Sequence, residues 1–268
     1  MSSGKITGLL FVLVLITAFN TKKKKAFLPP GTVQINDTLF ADECEISNLA
    51  WREYVEYNNR IFGKGSIEYT SSLPDTLVWR HKLAFCEPYV EYYFRHPAYS
   101  GYPVVGLTYE QAVQYCKWRT ERVHVWMEIQ SGKRCYEKIA EPYTGEIILE
   151  YRLPTRQEWE ALALIGTDQK LKENYVKKNS SFFNFMDLSP SFSKNDSGDE
   201  MDPVKSYLPN KLGLYDLFGN AAEMISEKGI SKGGSWKDDK DYAGVWKDGS
   251  YSAPDSQTGF RCVCVKKK

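Results

Sequence analysis

Lys232-Gly-Gly-Ser-Trp-Lys-Asp-Asp-Lys-Asp-Tyr-Ala243, followed after a spacer by Thr258-Gly-Phe-Arg261, carries the reading of the fold. Gly233 and Gly234 suit a tight backbone path. Ser235 has glycine context, but no His and acid in register mark it as a nucleophile. Upstream, Asn210-Lys-Leu-Gly-Leu-Tyr-Asp-Leu-Phe-Gly-Asn-Ala-Ala-Glu223 places the hard oxygen ligands Asp216 and Glu223 on either side of a turn. Two capping boxes stand further back, Thr155-Arg-Gln-Glu158 and Thr108-Tyr-Glu-Gln111. In each, the Thr oxygen accepts an orphan amide and the Glu or Gln reaches back to the cap. One predicts a helix with Trp159, Leu162 and Ala163 that ends at Gly166. The other predicts a helix with Ala112, Val113, Cys116 and Thr120 on one face. Pro103 and Pro154 keep the chain extended before these caps. Ser47 caps a third predicted helix carrying Trp51, Tyr54 and Val55. Asn36-Asp37, between Thr32–Ile35 and Leu39–Asp42, predicts a hairpin. Residues 63–102 and 167–210 read as irregular and turn-rich. Stretches of that length inside one domain need packed rings or metal ions to hold them.

The 268 residues suffice for one large domain or two small ones. No repeat or linker divides them, so residues 1–26 are expected to form a targeting segment and 27–268 a single domain. A net charge of +1 provides no field for nucleic acid. Aromatic residues make up 14% of the chain, which fits either a loop-rich core packed with rings or an interaction surface. Gly8 to Ala18 is apolar apart from Thr17 and follows Lys5. This run is short for a bilayer span, which needs about 20 residues, and suits a secretory segment. Lys22–Lys25 oppose transfer of the flank, so cleavage and retention as an anchor both stay open. The first cysteine is Cys44, so no lipid-accepting Cys is expected near the apolar run. Six cysteines in an exported chain permit disulfides without fixing a pairing. Cys262 and Cys264 lie two apart in an apparent strand, point to one face, and read as buried thiols.

In order along the chain, six segments resemble the formylglycine-generating enzyme (sulfatase-modifying factor) domain family. They are Phe40-Ala-Asp-Glu-Cys-Glu-Ile-Ser-Asn48, Tyr102-Pro-Val-Val-Gly-Leu-Thr108 with Ala112, Tyr115, Cys116 and Trp118, Tyr151-Arg-Leu-Pro-Thr-Arg-Gln-Glu-Trp-Glu160, Asn210–Glu223, Gly233-Gly-Ser-Trp236 and Gly259-Phe-Arg261. The resemblance spans about residues 28–265. It implies an α+β domain similar in fold to C-type lectins, with little regular secondary structure, that binds calcium. Within the family, Leu73-Pro-Asp-Thr-Leu-Val-Trp79, Glu87-Pro-Tyr-Val-Glu91, Phe94-Arg-His-Pro-Ala-Tyr-Ser-Gly-Tyr-Pro-Val-Val105 and Trp118-Arg-Thr-Glu-Arg122 look like gliding-motility lipoproteins of the type IX secretion apparatus. Those are structural parts of a periplasmic ring. This chain departs from them in being shorter and in lacking the lipid-accepting Cys.

In catalytic relatives two cysteines after the Gly-Gly-Ser bind copper(I). The matching positions here are Asp238 and Ala243. Copper(I) wants soft sulfur ligands, so copper is not expected and the reading leans away from catalysis. His81, His96 and His124 form no close-spaced pair for iron, and no glycine loop cradles a phosphate. By resemblance, Asp216, the carbonyls of Gly219 and Ala221, and Glu223 form one calcium site. Asn184, the Phe185 carbonyl and Asp196 form a second. Calcium takes about six to eight such oxygens; the plainer alternative is that Asp216 and Asn220 only shape a turn. The expected role is a non-catalytic scaffold or interaction component of a multi-subunit cell-envelope assembly. The chain would be exported, periplasmic or envelope-associated, and membrane-proximal. Its partners would be envelope proteins rather than nucleic acid, met through the aromatic insert at 79–102. The alternatives are a formylglycine-generating-type oxidase and a calcium-dependent lectin-like binder.

Overall fold

Asn36 makes the first turn as an Asx turn. Its side-chain oxygen accepts from the amides of Thr38 and Leu39, each at 2.9 Å. The turn joins β1 (Thr32–Gln34) to β2 (Leu39–Asp42) as the hairpin read from the sequence. A computed structural model describes residues 28–80, 86–165, 183–185, 201–239 and 244–267. The predicted targeting segment and the predicted helix stop at Gly166 lie outside them. Among the described residues, no helix is long and apolar enough to cross a membrane.

β2 pairs with β8 (Val263–Lys266), and β8 pairs with β3 (Leu149–Arg152), all antiparallel, in the order β1-β2-β8-β3. The two ends of the described chain therefore meet in one sheet. Alternate residues point to opposite faces of a strand. Phe40, Cys262 and Cys264 enter a core with Trp51, Tyr115 and Phe260, whereas Ala41 and Val263 enter another with Trp159, Leu162 and Phe218. This sheet is thus buried on both sides. A second sheet, of very short strands, runs β6-β5-β4-β7. It contains β4 (Ala222–Met224), β5 (Ile230–Lys232), β6 (Gly249–Ser250) and β7 (Thr258–Gly259). Its β4–β7 pair is parallel.

The caps act as the sequence predicts. Ser47 opens α1 (Asn48–Phe62) by accepting from the Ala50 amide. Both capping boxes form: Thr108 with Gln111 opens α4 (Tyr109–Gln130), and Thr155 with Glu158 opens α5 (Arg156–Leu164). The insert at 63–102 holds more structure than its sequence suggests. It contains α2 (Ile67–Ser71) and α3 (Glu87–Tyr92), with single 3₁₀ turns at Thr76–Trp79 and Pro97–Tyr99. Each is under two turns long, too short for a hydrophobic period to show.

The α4 helix is locked to β3 by side chains. Thr120 Oγ1 accepts from the Tyr151 amide at 2.9 Å. His124 Nε2 accepts from the amides of Ile148 and Leu149 at 3.0 and 3.3 Å, while Nδ1 donates to the Thr120 carbonyl at 2.7 Å. Arg119 forks onto Asp42 at 2.6 and 2.8 Å and stacks over the Tyr151 ring at 4.2 Å. These contacts tie α4 to β2 and β3, and Met224 of β4 packs into the core beneath them.

Candidate functional site

The Leu214–Glu223 segment is an irregular turn whose backbone bends where few side chains allow it. Asp216 and Asn220 have φ of 53° and 56°, and Gly219 has φ of 75°; Asn and Asp tolerate this left-handed region better than most residues. Gly219 is required for a second reason: a Cβ there would overlap the Asn184 carbonyl. Asn220 is the hub of the turn. Its amide donates to the Asn184 carbonyl at 2.9 Å, and its side-chain oxygen accepts from the Asp202 amide at 2.9 Å. Its Nδ2 donates to Glu45 Oε1 at 3.0 Å, and its carbonyl accepts from the Trp236 amide at 2.9 Å. The Gly-Gly-Ser-Trp loop is clamped to the turn a second time, by Gly219 N–H donating to the Gly233 carbonyl at 3.1 Å. Separate sequence motifs thus converge on one buried turn.

Around it lie three buried carboxyl groups and one guanidinium. Glu223 Oε2 accepts from Trp159 Nε1 at 2.7 Å, and both its oxygens accept from Arg261 Nε at 2.8 Å. Arg261 also donates to the carbonyls of Asp42, Glu43 and Tyr215. Asp216 Oδ2 accepts from the Lys205 amide at 2.6 Å, and Glu45 Oε1 takes the Asn220 donor. The remaining oxygens, Asp216 Oδ1 and Glu45 Oε2, are buried with no donor among the described residues, and the two side chains adjoin. Burial first, and then the Asp216 charge, push the Glu45 carboxyl well above the usual carboxylate range. Burial likewise raises Asp216.

Of the residues expected to bind calcium, Asp216, Gly219, Ala221, Asn184 and Phe185 gather at this turn, and Asp196 lies outside the described residues. Phe185 packs with Phe183 against Phe218 in the second core. Glu223 belongs to the same turn but faces Arg261 and Trp159. Among the described residues, no group of three or more His, Cys, Asp or Glu side chains could hold a metal ion. Sequence reasoning missed Glu45. It lies inside the Phe40–Asn48 segment, where an acid between the buried Ala41 and Ile46 was the available signal.

The turn that follows Gly233-Gly-Ser is organised around a carboxylate. Asp238 Oδ2 accepts from Ser235 N at 2.8 Å and from Ser235 Oγ at 2.7 Å. Lys237 Nζ donates to Ser256 Oγ at 3.0 Å and lies 4.7 Å over the Trp236 ring; burial holds its pKa below the usual range. Ser256 is itself buried. Ala243 lies outside the described residues. The aromatic insert covers this region. Trp79 stacks on Trp236 with centroids 6.1 Å apart and on Tyr89 at 5.3 Å, and meets Tyr93 at a tilt with centroids 4.4 Å apart. Among the described rings of the insert, Tyr93 and Phe94 are buried, Trp79, Tyr89, Tyr99 and Tyr102 are half-buried, and Tyr92 is exposed. Cys262 and Cys264 are fully buried in the other core. His96 caps a 3₁₀ turn, His124 braces β3, and His81 lies outside the described residues.

Short strands and capped helices packed around a buried acid–amide turn, with modest regular structure and no closed barrel, define an α+β domain of the formylglycine-generating-enzyme-like class. The chain belongs to the sulfatase-modifying factor enzyme 1-like domain family, matched over residues 10–266. It is 26% identical over 197 residues to the formylglycine-generating enzyme of Mus musculus, covering 61% of this chain and 44% of the mouse protein. The match thus spans less than half the length of that relative. In structure the chain is similar to CarF, with a TM-score of 0.51 and 19% identity over 86% of this chain and 87% of that one; this likeness concerns the fold alone. A similarity to Treponema denticola variable protein 1 has a TM-score of 0.48 and 18% identity, covering 90% and 92% of the two chains.

Proposed function

We propose that this chain is a non-catalytic member of its family, exported and acting as a scaffold or interaction component of a bacterial cell-envelope assembly. The observation that carries this is Asp238. Where catalytic relatives have a thiol, a carboxylate is bound to Ser235 through two hydrogen bonds and offers hard oxygen to an ion that prefers sulfur. The aromatic insert supports the same reading, since its Trp79 stacks on Trp236, two residues before Asp238. Type IX secretion and gliding machinery is the setting favoured by the segments at 73–79, 87–91 and 94–105. Its partners would be other envelope proteins.

Calcium fits the turn as a structural ion. Glu45 Oε2 and Asp216 Oδ1 are buried with no donor among the described residues; an unpaired buried charge is costly, and a cation between the two relieves it as a shared proton would. In that reading Asp216, the carbonyls of Gly219 and Ala221, and Glu223 would hold the ion, with Asn184, the Phe185 carbonyl and Asp196 as a second set. Bound calcium would pin loops that lack helix or sheet.

The test is recovery of the tagged full chain from native envelopes, with Cu(I) titration of the purified protein under anaerobic conditions. Co-purification with envelope proteins, and a secretion or gliding defect on deletion, are expected. A lone soluble monomer with no such defect overturns the scaffold role. Tight stoichiometric Cu(I) binding lost on Cys262→Ser favours an oxidase instead.

A further inference from the structure

We propose that Glu45, from the loop between β2 and α1, is a calcium ligand beside Asp216, and that Glu223 is not one because Arg261 and Trp159 hold it. The proposal rests on the calcium reading above and changes its ligand set. Glu45 and Asp216 are 2% and 4% exposed. Each presents one oxygen with no donor among the described residues, Glu45 Oε2 and Asp216 Oδ1, and the two side chains adjoin. Their other oxygens are fixed by the Asn220 side chain and the Lys205 amide. Those bonds orient the open oxygens.

Nearby cations do not fill the gap. The Arg261 guanidinium points its N–H groups at Glu223 and at the carbonyls of Asp42, Glu43 and Tyr215. The Lys205 ammonium pairs with Glu43. Glu45, Asp216 and Glu223 against Arg261 leave two uncompensated negative charges when all three acids ionise, which matches one divalent cation. The donor type selects a hard ion, since carboxylate, amide and backbone oxygens surround the turn. Cys44 is adjacent, but its thiol is a soft ligand that a hard ion does not select. Magnesium demands a near-octahedral set and keeps several waters, whereas calcium accepts an irregular set of oxygens such as a turn supplies.

The test uses the full chain, stripped of metal with a chelator, and follows Ca²⁺ by calorimetric titration and by thermal shift. Wild type is expected to bind Ca²⁺ in preference to Mg²⁺ and to melt higher with it. Glu45→Gln gives two effects of opposite sign. Its amide can donate to Asp216 Oδ1, so the metal-free protein should melt higher than metal-free wild type. Its Ca²⁺ affinity should fall about tenfold or more, with loss of a charged ligand. A residue that only shaped the loop would not raise the one while lowering the other. Unchanged Ca²⁺ affinity in Glu45→Gln overturns the assignment and leaves the calcium reading in place. Failure of wild type to bind Ca²⁺ overturns both, and identifies the pair as carboxyls sharing a proton. Should Glu45→Gln not fold, Glu45→Asp retracts the carboxylate by one methylene, and the same loss of affinity is required of it.

Discussion

Glu223 and Arg261, 38 residues apart, meet as a fully buried fork at 2.8 Å. The pair joins the Asn210–Glu223 and Gly-Phe-Arg motifs, and through the Asp42, Glu43 and Tyr215 carbonyls it ties both to the end of β2. Removing one member of such a pair strands a buried charge and costs about 3–5 kcal/mol. Glu223→Gln and Arg261→Met are each expected to lower the unfolding free energy measured in urea by that order. The double variant should lose less than the sum of the two. Additive losses in a double-mutant cycle would show that the charges do not depend on each other.

At the start of α5, Arg152 forks onto both oxygens of Glu158 at 2.7 Å, while the Thr155 amide donates to the same carboxylate at 2.8 Å. Burial pulls the Glu158 carboxyl up, but the Arg152 fork and Thr155 amide outweigh it and hold it below the usual carboxylate range. A depressed acid pKa contributes stability above the unfolded value, which is lost as pH falls through the folded one. Wild type should therefore lose stability relative to Glu158→Gln as pH falls below about 4.5. The side chains are partly exposed, so the difference above that pH should be about 1 kcal/mol. Melting curves of the two proteins from pH 3 to 7 measure it; parallel curves would remove Glu158 from the acid response.

Cys116 on α4 and Cys262 just before β8 place their sulfurs 3.5 Å apart in the core. Mild oxidation is expected to join them, leaving four of the six thiols to titrate after unfolding. The bond would stabilise the fold by about 2–4 kcal/mol, because it closes a long loop. Cys262→Ser should abolish both effects. In the reduced protein, the Cys44 thiol at about 12 supplies only about one thiolate in ten thousand at pH 8. Iodoacetamide should therefore label the exposed Cys135 first, as peptide mass mapping can follow. Equal labelling of Cys44 and Cys135 would contradict the burial that raises Cys44.

Local chemistry was legible where a side chain and its target lie a few residues apart. The Asn36 turn, the Ser47 cap and both capping boxes follow from spacing alone, because each bond closes within three residues. The short α2 and α3 helices were not legible, since neither completes two turns. At the candidate site the sequence located the turn but not its partners. Nothing in the spacing of Asp216 and Glu223 indicates that one has an oxygen left open while Arg261 and Trp159 satisfy the other. Glu45 precedes Asn220 by 175 residues, so only the folded chain brings them together. The inward stacking of Trp79 on Trp236 was hidden for the same reason: an aromatic-rich insert reads alike whether its rings face solvent or core.

His124 decides whether β3 keeps its start. Its ring is buried on α4, with Nδ1 donating to the Thr120 carbonyl and Nε2 receiving the Ile148 and Leu149 amides. Only a ring with its proton on Nδ1 and a bare Nε2 can do both. His124→Ala leaves two backbone amides without an acceptor and removes a ring that packs 4.8 Å from Tyr143. An orphaned buried amide costs about 1–3 kcal/mol, and of the two residues Leu149 is buried while Ile148 is exposed, so the variant should be destabilised by about 1–3 kcal/mol. Hydrogen exchange should report the loss locally, with faster exchange at Ile148 and Leu149 than at Tyr151, whose amide is held by Thr120. Equal acceleration along the whole of β3 would mean that the histidine serves the core at large rather than these two amides.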